Sequence, residues 1–295
     1  MLDFVYFPVS AVLWCWHRLL AFPLGAADGL AWLLAVVALV VTVRALLIVP
    51  AVRQARSQAK LRSLQPRMDS IRRKHREDPR AQAEQIRLLH REHGVSMFAG
   101  FVPLIAQALV FLGLFHVLRS FDRTGAYAVG PFTATDIPLT PEVNSATANY
   151  LFGAPEVRAF LDARLFGAPL SATLSGAGET FAAVAALAIP LVLIASLATH
   201  VTARLTPSTQ DRTAAIMRNL ALWVFPAGAL IGGAILPVVV LTYFATNAVW
   251  TCVQQYLIRR LLAAEAEAEA EAAKVTAAAR ATAPRPGVKP QRRKR

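Results

Sequence analysis

The sequence predicts an all-α integral membrane protein, and its composition and the arrangement of its apolar residues point to that class. Of its 295 residues, 56% are hydrophobic, and the mean hydropathy is +0.45, which exceeds the apolar content typical of soluble domains. The apolar residues gather in runs of about 20, the length that an α-helix needs to cross a bilayer. Cys15 and Cys252 lie far apart in the sequence, so they offer neither a disulfide framework nor a metal site.

We predict five membrane-spanning helices from these runs. The long apolar block 214–258 is interrupted by Pro226, by Gly232 and Gly233, and by Pro237, so it is predicted to form two spans joined by a tight turn. The predicted spans are residues 30–50, 98–118, 180–200, 214–235 and 237–258.

Residues 1–29 are predicted to hold an interfacial helix and an outer segment. Residues 3–22 are apolar and rich in Trp and Tyr but include charged groups, a pattern typical of helices that lie in the membrane interface. A cleaved signal peptide is the alternative. Because Asp3 is the first charged residue and no clear A-x-A site follows, we favour the interfacial helix.

The charges of the connecting segments predict the orientation of the chain. Residues 51–95 carry twelve Arg and Lys against five Asp and Glu, and residues 259–295 carry ten against four. Residues 201–213 have two basic groups and one acidic group, whereas residues 119–179 have four basic and six acidic groups. Since cytoplasmic loops carry the excess of Lys and Arg, we expect the N-terminus and the 119–179 loop outside and the C-terminus in the cytoplasm.

The cytoplasmic segment 51–97 is predicted to form a basic helical hairpin. Leu61, Leu64, Met68 and Ile71 recur at the spacing of one helix face. A turn is predicted at Asp78-Pro79, and Ile86, Leu88 and Leu89 resume an apolar face before Gly94. A solvated, positively charged loop is the alternative for the charges alone.

Motifs in two regions resemble the YidC/Oxa/Alb family of membrane protein insertases, in particular its actinobacterial members. In the last predicted span the matching positions are Pro237, Tyr243, Asn247, Gln254 and Gln255. In the first region they are Arg44, Pro50, Arg53, Gln54, Ser57, Lys60, the "LQP" at 64–66, the "HGV" at 93–95, Gly100, Pro103 and Gln107.

The resemblance implies a fold and a set of partners. It implies five core spans in a bacterial plasma membrane, around a hydrophilic groove that opens to the cytoplasm and closes toward the outside. The implied partners are membrane protein clients with acidic or polar tails, the Sec translocon and the signal recognition particle receptor. The hairpin residues expected to recruit them are Arg53, Lys60, Arg72, Arg73 and Lys74.

Two interpretations of Arg44 are compatible with the sequence. It lies six residues before Pro50, or about 9 Å along a helix, so its long side chain could reach the head groups at little cost. The resemblance implies instead that Arg44 is the central charge of the groove, where an intramembrane cation is tolerated and functional. The other expected groove residues are Gln107, Tyr243, Thr246 and Asn247, for which helix–helix contact is the alternative role.

The C-terminal tail, residues 259–295, contains "AAEAEAEAEAA" at 263–273, which favours a helix. After Pro284, Pro286 and Pro290 it ends in Arg292, Arg293, Lys294 and Arg295. Such a cluster can bind anionic lipids or RNA, and the resemblance implies contact with ribosomal RNA. Solvated disorder is the alternative.

No catalytic constellation is present in the sequence. It has no phosphate-binding loop, no arguable Ser/His/Asp set and no cluster with metal-ligand spacing, so we expect neither an enzyme nor a cofactor. The predicted function is that of a membrane protein insertase and chaperone, acting alone or with the Sec translocon. A small-solute transporter and a non-translocating assembly scaffold are the alternatives.

Overall fold

The computed structural model describes residues 3–94, 101–124, 139–205, 223 and 225–282, and helices dominate this part of the chain. The longer helices are α1 (Asp3–Leu24), α2 (Gly29–Leu46), α3 (Ile48–Lys74), α4 (Pro79–Glu92), α5 (Phe101–Arg119), α8 (Phe181–Leu205), α9 (Phe225–Ile235) and α10 (Val238–Thr282). Between α5 and α8 lie α6 (Pro141–Ala146), α7 (Ala154–Asp162), the strands β1 (Arg164–Leu165) and β2 (Ala168–Pro169), and the 3-10 turns Leu174–Gly176 and Gly178–Thr180.

Three segments of the described chain are long and apolar enough to cross a membrane: Asp3–Leu24, Gly29–Leu46 and Gly178–Leu205. Gln107–Arg119 is apolar but shorter. This composition is that of an all-α membrane protein, apart from the two-residue strands β1 and β2, which the sequence did not predict. The number of five spans and their bounds stay predictions, and residues 214–222 and 224 of the predicted fourth span lie outside the described residues.

The end of the predicted first span differs from the structure. Residues 30–50 were expected to form one helix, but α2 ends at Leu46 and α3 begins at Ile48. The break is a single residue, Leu47, whose backbone N–H still donates to the Val43 carbonyl at 3.1 Å. Pro50 therefore lies in the first turn of α3, where its missing N–H costs no intrahelical bond.

Helix α1 packs against α2 and α5. Its first turns pack on the last turns of α5, where Tyr6 stacks on His116 with ring centroids 4.1 Å apart. Its last turn joins the start of α2 through residues 25–28. We call the side of the molecule where residues 120–124 and 139–180 pack, next to the end of α5 and the start of α2, the loop face. The interfacial location of residues 3–22 stays a prediction, since α1 is also long enough to cross a membrane.

Residues 120–124 and 139–180 fold against the start of α2 and the end of α5. Their core is aromatic: Phe121, Phe152 and Phe160 are fully buried around Trp32 of α2, and the Phe121 and Phe160 rings stack at 4.4 Å. Two buried side-chain amides bond to backbone carbonyls at the end of α5. Asn144 Nδ2 donates to the Phe121 carbonyl at 3.0 Å, and Asn149 Nδ2 donates to the Val117 carbonyl at 2.9 Å. The loop is therefore a packed cap on the helices.

Helices α3 and α4 form an antiparallel pair around a small apolar cluster. Leu64 and Leu89 are buried, and Leu61, Met68 and Ile71 pack on them. Asp78 caps α4, because its Oδ1 accepts from the backbone N–H groups of Arg80 and Ala81, both at 3.0 Å. The expectation that Leu88 joins this apolar face is wrong: its side chain is 44% exposed, since it directly precedes the inward-facing Leu89 on the helix.

Helix α10 extends beyond the predicted last span. That span is predicted to end at residue 258, and the helix continues through the helix-favouring part of the tail to Thr282. Ala, Glu and Leu have high helix propensity, and they dominate residues 261–273. The predicted proline-rich break begins at Pro284, outside the described residues.

Candidate functional site

The Arg44 side chain of α2 reaches across to α10. Its Nε and Nη2 atoms donate to Asn247 Oδ1 at 3.0 and 2.6 Å, and Nη2 also donates to Thr251 Oγ1 at 2.9 Å. Arg44 is the third residue from the end of α2, where a cation also interacts favourably with the helix dipole. Its side chain thus bridges two helices rather than reaching away from them.

Gln107 of α5 joins the same network from a third helix. Its Nε2 atom donates to the Tyr243 hydroxyl at 2.8 Å and to Asn247 Oδ1 at 3.2 Å. The Gln107 Oε1 atom is buried and has no hydrogen-bond partner among the described residues. A buried acceptor without a partner is costly, so this oxygen is suited to accept a hydrogen bond from a bound polar group.

The positive charge of Arg44 is held by neutral groups. Among the described residues, no carboxylate lies within ion-pair distance of its guanidinium, and its bonds go to an amide and a hydroxyl oxygen. Arginine has five N–H donors, and these bonds engage Nε and Nη2. The two N–H groups on Nη1 therefore remain for another acceptor, and the charge is not neutralised within the described part of the chain.

Of the five residues expected to form the groove, the structure joins four. Arg44, Gln107, Tyr243 and Asn247 form one hydrogen-bond network, whereas Thr246 donates to the Thr242 carbonyl of its own helix at 2.8 Å. No hydrogen bond links Thr246 to Arg44 among the described residues. Thr251, rather than Thr246, is the threonine of α10 that bonds to Arg44. It lies four residues after Asn247, so helical spacing makes it a candidate but does not distinguish it from Thr246.

A cavity of about 420 Å³ adjoins this network between α8, α9 and α10. Its polar edge is formed by Asn247 and Thr251, the two partners of Arg44. The rest of the lining is mainly apolar, and two glycines of α9 widen it. The other lining residues are Leu191, Val192, Ala195, Thr199, Thr202, Gly228, Gly232, Leu236, Leu241, Phe244 and Ala248.

The loop segment covers the end of the helices next to this cavity. The first backbone N–H groups of α10 donate to loop carbonyls, Val238 to Ala172 and Val239 to Leu170, both at 3.2 Å. Thr173 and Pro237 form a backbone bridge at the same place. These contacts satisfy donors that an isolated helix start leaves unpaired, and they fix the loop over the start of α10.

The five basic residues expected to recruit partners all lie on α3 with exposed side chains: Arg53, Lys60, Arg72, Arg73 and Lys74. Arg72 is paired with Asp69 of the same helix at 3.3 Å. The basic cluster Arg292, Arg293, Lys294 and Arg295 lies outside the described residues. Within the described ranges, no group of three or more His, Cys, Asp or Glu side chains could hold a metal ion.

The sequence is similar to curated bacterial proteins over nearly its whole length. A protein named membrane protein insertase YidC from Mycobacterium tuberculosis (strain H37Rv) is 39% identical over 99% of this chain and 81% of the relative. The protein of that name from Mycolicibacterium paratuberculosis is 40% identical over 99% of this chain and 84% of its own length. That from Streptomyces avermitilis is 30% identical over 88% of this chain and 58% of its own length.

A family model agrees with these relatives. The model of the "60Kd inner membrane protein" family matches residues 24–265, which include α2, α5, α8, α9 and the part of α10 that carries Asn247 and Thr251. The relatives are named for membrane insertion rather than for a reaction, in agreement with the expectation that the chain is not an enzyme. The chain belongs to this family, the YidC/Oxa/Alb family of membrane protein insertases.

Proposed function

We propose that this protein inserts client proteins into the bacterial plasma membrane and assists their folding there, with Arg44 as the charge that draws the client's polar or acidic tail into the membrane. The observation that carries this proposal is the uncompensated guanidinium: Arg44 is oriented by Asn247 and Thr251 but has no carboxylate partner among the described residues. An intramembrane cation lowers the stability of the protein, so its presence points to a function.

The proposed step is electrostatic. A client carboxylate or backbone carbonyl accepts from the unused Nη1 donors of Arg44, while Gln107 Oε1 accepts from a client donor. Two unit charges attract several times more strongly in a partly buried site than in bulk water, so the tail is held part-way across. Transfer of about 20 apolar client residues into lipid then drives the insertion without a nucleotide.

The apolar part of the client would pass along the cavity between α8, α9 and α10. That cavity is mainly apolar away from Asn247 and Thr251, a division that suits a segment with a polar end and an apolar body. The packed loop over the start of α10 supports a groove that is closed at the loop face. Five spans around this groove, with the N-terminus outside and the C-terminus in the cytoplasm, remain part of the proposal.

The basic outer face of α3 supports recruitment from the cytoplasm. The side chains of Arg53, Lys60, Arg72, Arg73 and Lys74 are exposed, and exposed cations bind acidic surfaces in a salt-dependent manner. The proposed partners of this face are the signal recognition particle receptor and the Sec translocon. The basic end of the tail is proposed to contact ribosomal RNA or anionic lipids.

Insertion into proteoliposomes tests the proposed function. A single-span client with an acidic outer tail is added to vesicles that contain the wild type, Arg44→Lys or Arg44→Gln, and insertion is scored by protease protection. We expect the wild type to insert the client, Lys to retain most of the activity and Gln to lose it, while a client with a neutral tail responds little. Arg67→Gln, which removes a charge from the exposed face of α3, is the matched control.

The other outcomes favour the alternatives. Equal insertion by all variants would assign Arg44 a purely structural role. Absence of insertion by the wild type, with client binding retained, would favour an assembly scaffold. Solute flux without client insertion would favour a transporter.

A further inference from the structure

A second apolar opening lies between the first turns of α3 and the middle of α10. This crevice has a volume of about 340 Å³, and α10 supplies most of its lining, with Val253 and Leu257 more than half exposed. Its main lining residues are Ile48, Val52, Trp250, Val253, Leu257 and Leu261.

Two polar contacts bound the crevice. At one end, Arg44 bonds to Thr251 at 2.9 Å. At the other, Arg56 Nη2 and Glu265 Oε1 form an ion pair at 2.5 Å. Arg56 follows Val52 by four residues and Glu265 follows Leu261 by four, so this pair lies one helical turn beyond the crevice on both helices. The ion pair therefore joins the two helices one turn beyond the crevice, and the Arg44–Thr251 bond lies on its other side.

Two exposed arginines lie next to lining residues of the crevice in the chain. Arg53 follows Val52, Arg260 precedes Leu261, and both arginine side chains are exposed. Trp250 lies in the lining, and tryptophan is enriched where membrane proteins meet the head-group layer. An apolar slot flanked by exposed arginines matches a ligand with an apolar chain and an anionic head.

We propose that this crevice binds an anionic phospholipid, with one acyl chain between α3 and α10 and its phosphate held by Arg53 and Arg260. A bare apolar client helix is a poorer match, since it offers no anionic group to the exposed arginines Arg53 and Arg260. The bound lipid bridges the base of the α3–α4 hairpin and α10, and so holds the hairpin at a fixed angle to the membrane helices.

Native mass spectrometry of the full chain tests the site directly. The purified protein is equilibrated with phosphatidylglycerol or with phosphatidylcholine of the same acyl chains, and lipid retention is compared between variants. We expect the wild type to retain one phosphatidylglycerol in preference to phosphatidylcholine. The variant with both Arg53→Gln and Arg260→Gln should bind phosphatidylglycerol at least about tenfold more weakly, because each cation near an anionic head group strengthens binding about fivefold.

The matched control removes two charges from the same helices but away from the crevice. Arg67 on α3 and Lys274 on α10 are exposed, and the variant with Arg67→Gln and Lys274→Gln should retain the lipid as the wild type does. An equal loss in both double variants would overturn the proposal in favour of general charge attraction. Absence of a preference for phosphatidylglycerol in the wild type would overturn it as well.

Trp250 provides a second readout that does not depend on the arginines. Phosphatidylglycerol with brominated acyl chains quenches tryptophan that it contacts, and the contribution of Trp250 is obtained by comparison with Trp250→Phe. We expect this contribution to be quenched, and to recover in the Arg53→Gln and Arg260→Gln variant. An unquenched Trp250, or crosslinking of a client helix to Leu257 without lipid retention, would show that the crevice serves another ligand. These measurements involve no client insertion, so their outcome does not depend on the proposed function.

Discussion

Arg44 and Asn247, which are 203 positions apart in the chain, are joined by two hydrogen bonds to one oxygen atom, Nε to Oδ1 at 3.0 Å and Nη2 to Oδ1 at 2.6 Å. Asn247 Oδ1 also accepts from Gln107 Nε2 at 3.2 Å. A single neutral amide oxygen thus fixes the direction of the guanidinium without cancelling its charge. An aspartate in the same place would fix it equally well and cancel it.

That difference gives a prediction for Asn247→Asp. The new carboxylate would form a charge-assisted pair with Arg44, worth about 1.5–3 kcal/mol per hydrogen bond to a charged group, and a client's acidic tail would have to displace it. We expect insertion of an acidic-tail client to fall about tenfold or more in the proteoliposome assay, since about 1.4 kcal/mol corresponds to a factor of ten.

The Arg44→Gln background is the control for this effect. There, Asn247→Asp has no guanidinium to neutralise, so it should cause little additional loss with the acidic-tail client. A neutral-tail client should be inserted equally well by the wild type and by the Asn247→Asp variant. Equal loss with both clients would mean that Asn247→Asp acts on the packing of α10 instead.

The residues of this site could be selected from the sequence, but the contacts between them could not be predicted from it. Arg44 stands out as a lone charge in an apolar run, and Asn247 as an amide in another, but no spacing rule relates positions so far apart. Thr246 and Thr251 were indistinguishable as candidates because both lie on one helix close to Asn247. Only the rotation of α10 against α2 decides that Thr251 meets Arg44.

The structure of the α3–α4 hairpin could be predicted from the sequence, whereas that of the loop segment could not. The α3–α4 hairpin follows a regular apolar spacing and a Pro-marked turn, so its pattern could be recognised locally. Residues 120–124 and 139–180 have no such period, because their core is formed by Phe121, Phe152 and Phe160 together with Trp32 from a distant helix. A core assembled from separated residues leaves no periodic signal in the sequence.

Asn144→Ala tests how the loop is attached to α5. Asn144 is buried, its Nδ2 donates to the Phe121 carbonyl at 3.0 Å, and its Oδ1 accepts from the Arg123 N–H at 3.1 Å. Alanine leaves both backbone groups unpaired, at a cost of about 1–3 kcal/mol. We expect a lower unfolding temperature in detergent and faster hydrogen exchange at residues 117–124.

The neighbouring Ser145→Ala is the control for this prediction. Ser145 is only partly buried, and its hydroxyl donates within α6, to the Glu142 carbonyl at 2.9 Å. Its replacement should change the unfolding temperature little. If Asn144→Ala behaved in the same way, the two buried bonds would contribute nothing to the attachment of the loop.

Gly29→Ala tests the closest approach between α2 and the loop. A Cβ atom at Gly29 would contact the Arg164 carbonyl oxygen and would lie 2.9 Å from the Leu165 nitrogen. These are backbone atoms of β1, so they cannot rotate away as a side chain could. We expect a loss of stability of about 1–3 kcal/mol, the usual cost of overpacking, measured as a lower unfolding temperature.

Gly228→Ala provides the contrast. No atom of the described residues lies within 4 Å of a Cβ atom placed at Gly228, and alanine favours a helix by about 1 kcal/mol over glycine. That variant should be as stable as the wild type or more so. A similar loss in both variants would show that the effect does not come from the contact with β1.

His90→Leu is expected to stabilise the hairpin. The His90 side chain is 7% exposed between α3 and α4, and neither ring nitrogen has a hydrogen-bond partner among the described residues. Burial of a polar group without a partner costs about 1–3 kcal/mol in proteins, and leucine fills a similar volume without that cost. Hydrogen exchange at residues 79–92 of the full chain should therefore become slower.

His93→Leu, at the end of the same helix, should act in the opposite direction. The His93 ring is exposed, and its Nδ1 lies 3.0 Å from the Leu89 carbonyl, so leucine removes a hydrogen bond from the last turn of α4 and gains no burial. Slower exchange in His90→Leu with slightly faster exchange in His93→Leu would mean that the imidazole of His90 is retained at a cost to stability. Faster exchange in His90→Leu would mean that its ring nitrogens are satisfied in solution, and that the hairpin depends on them.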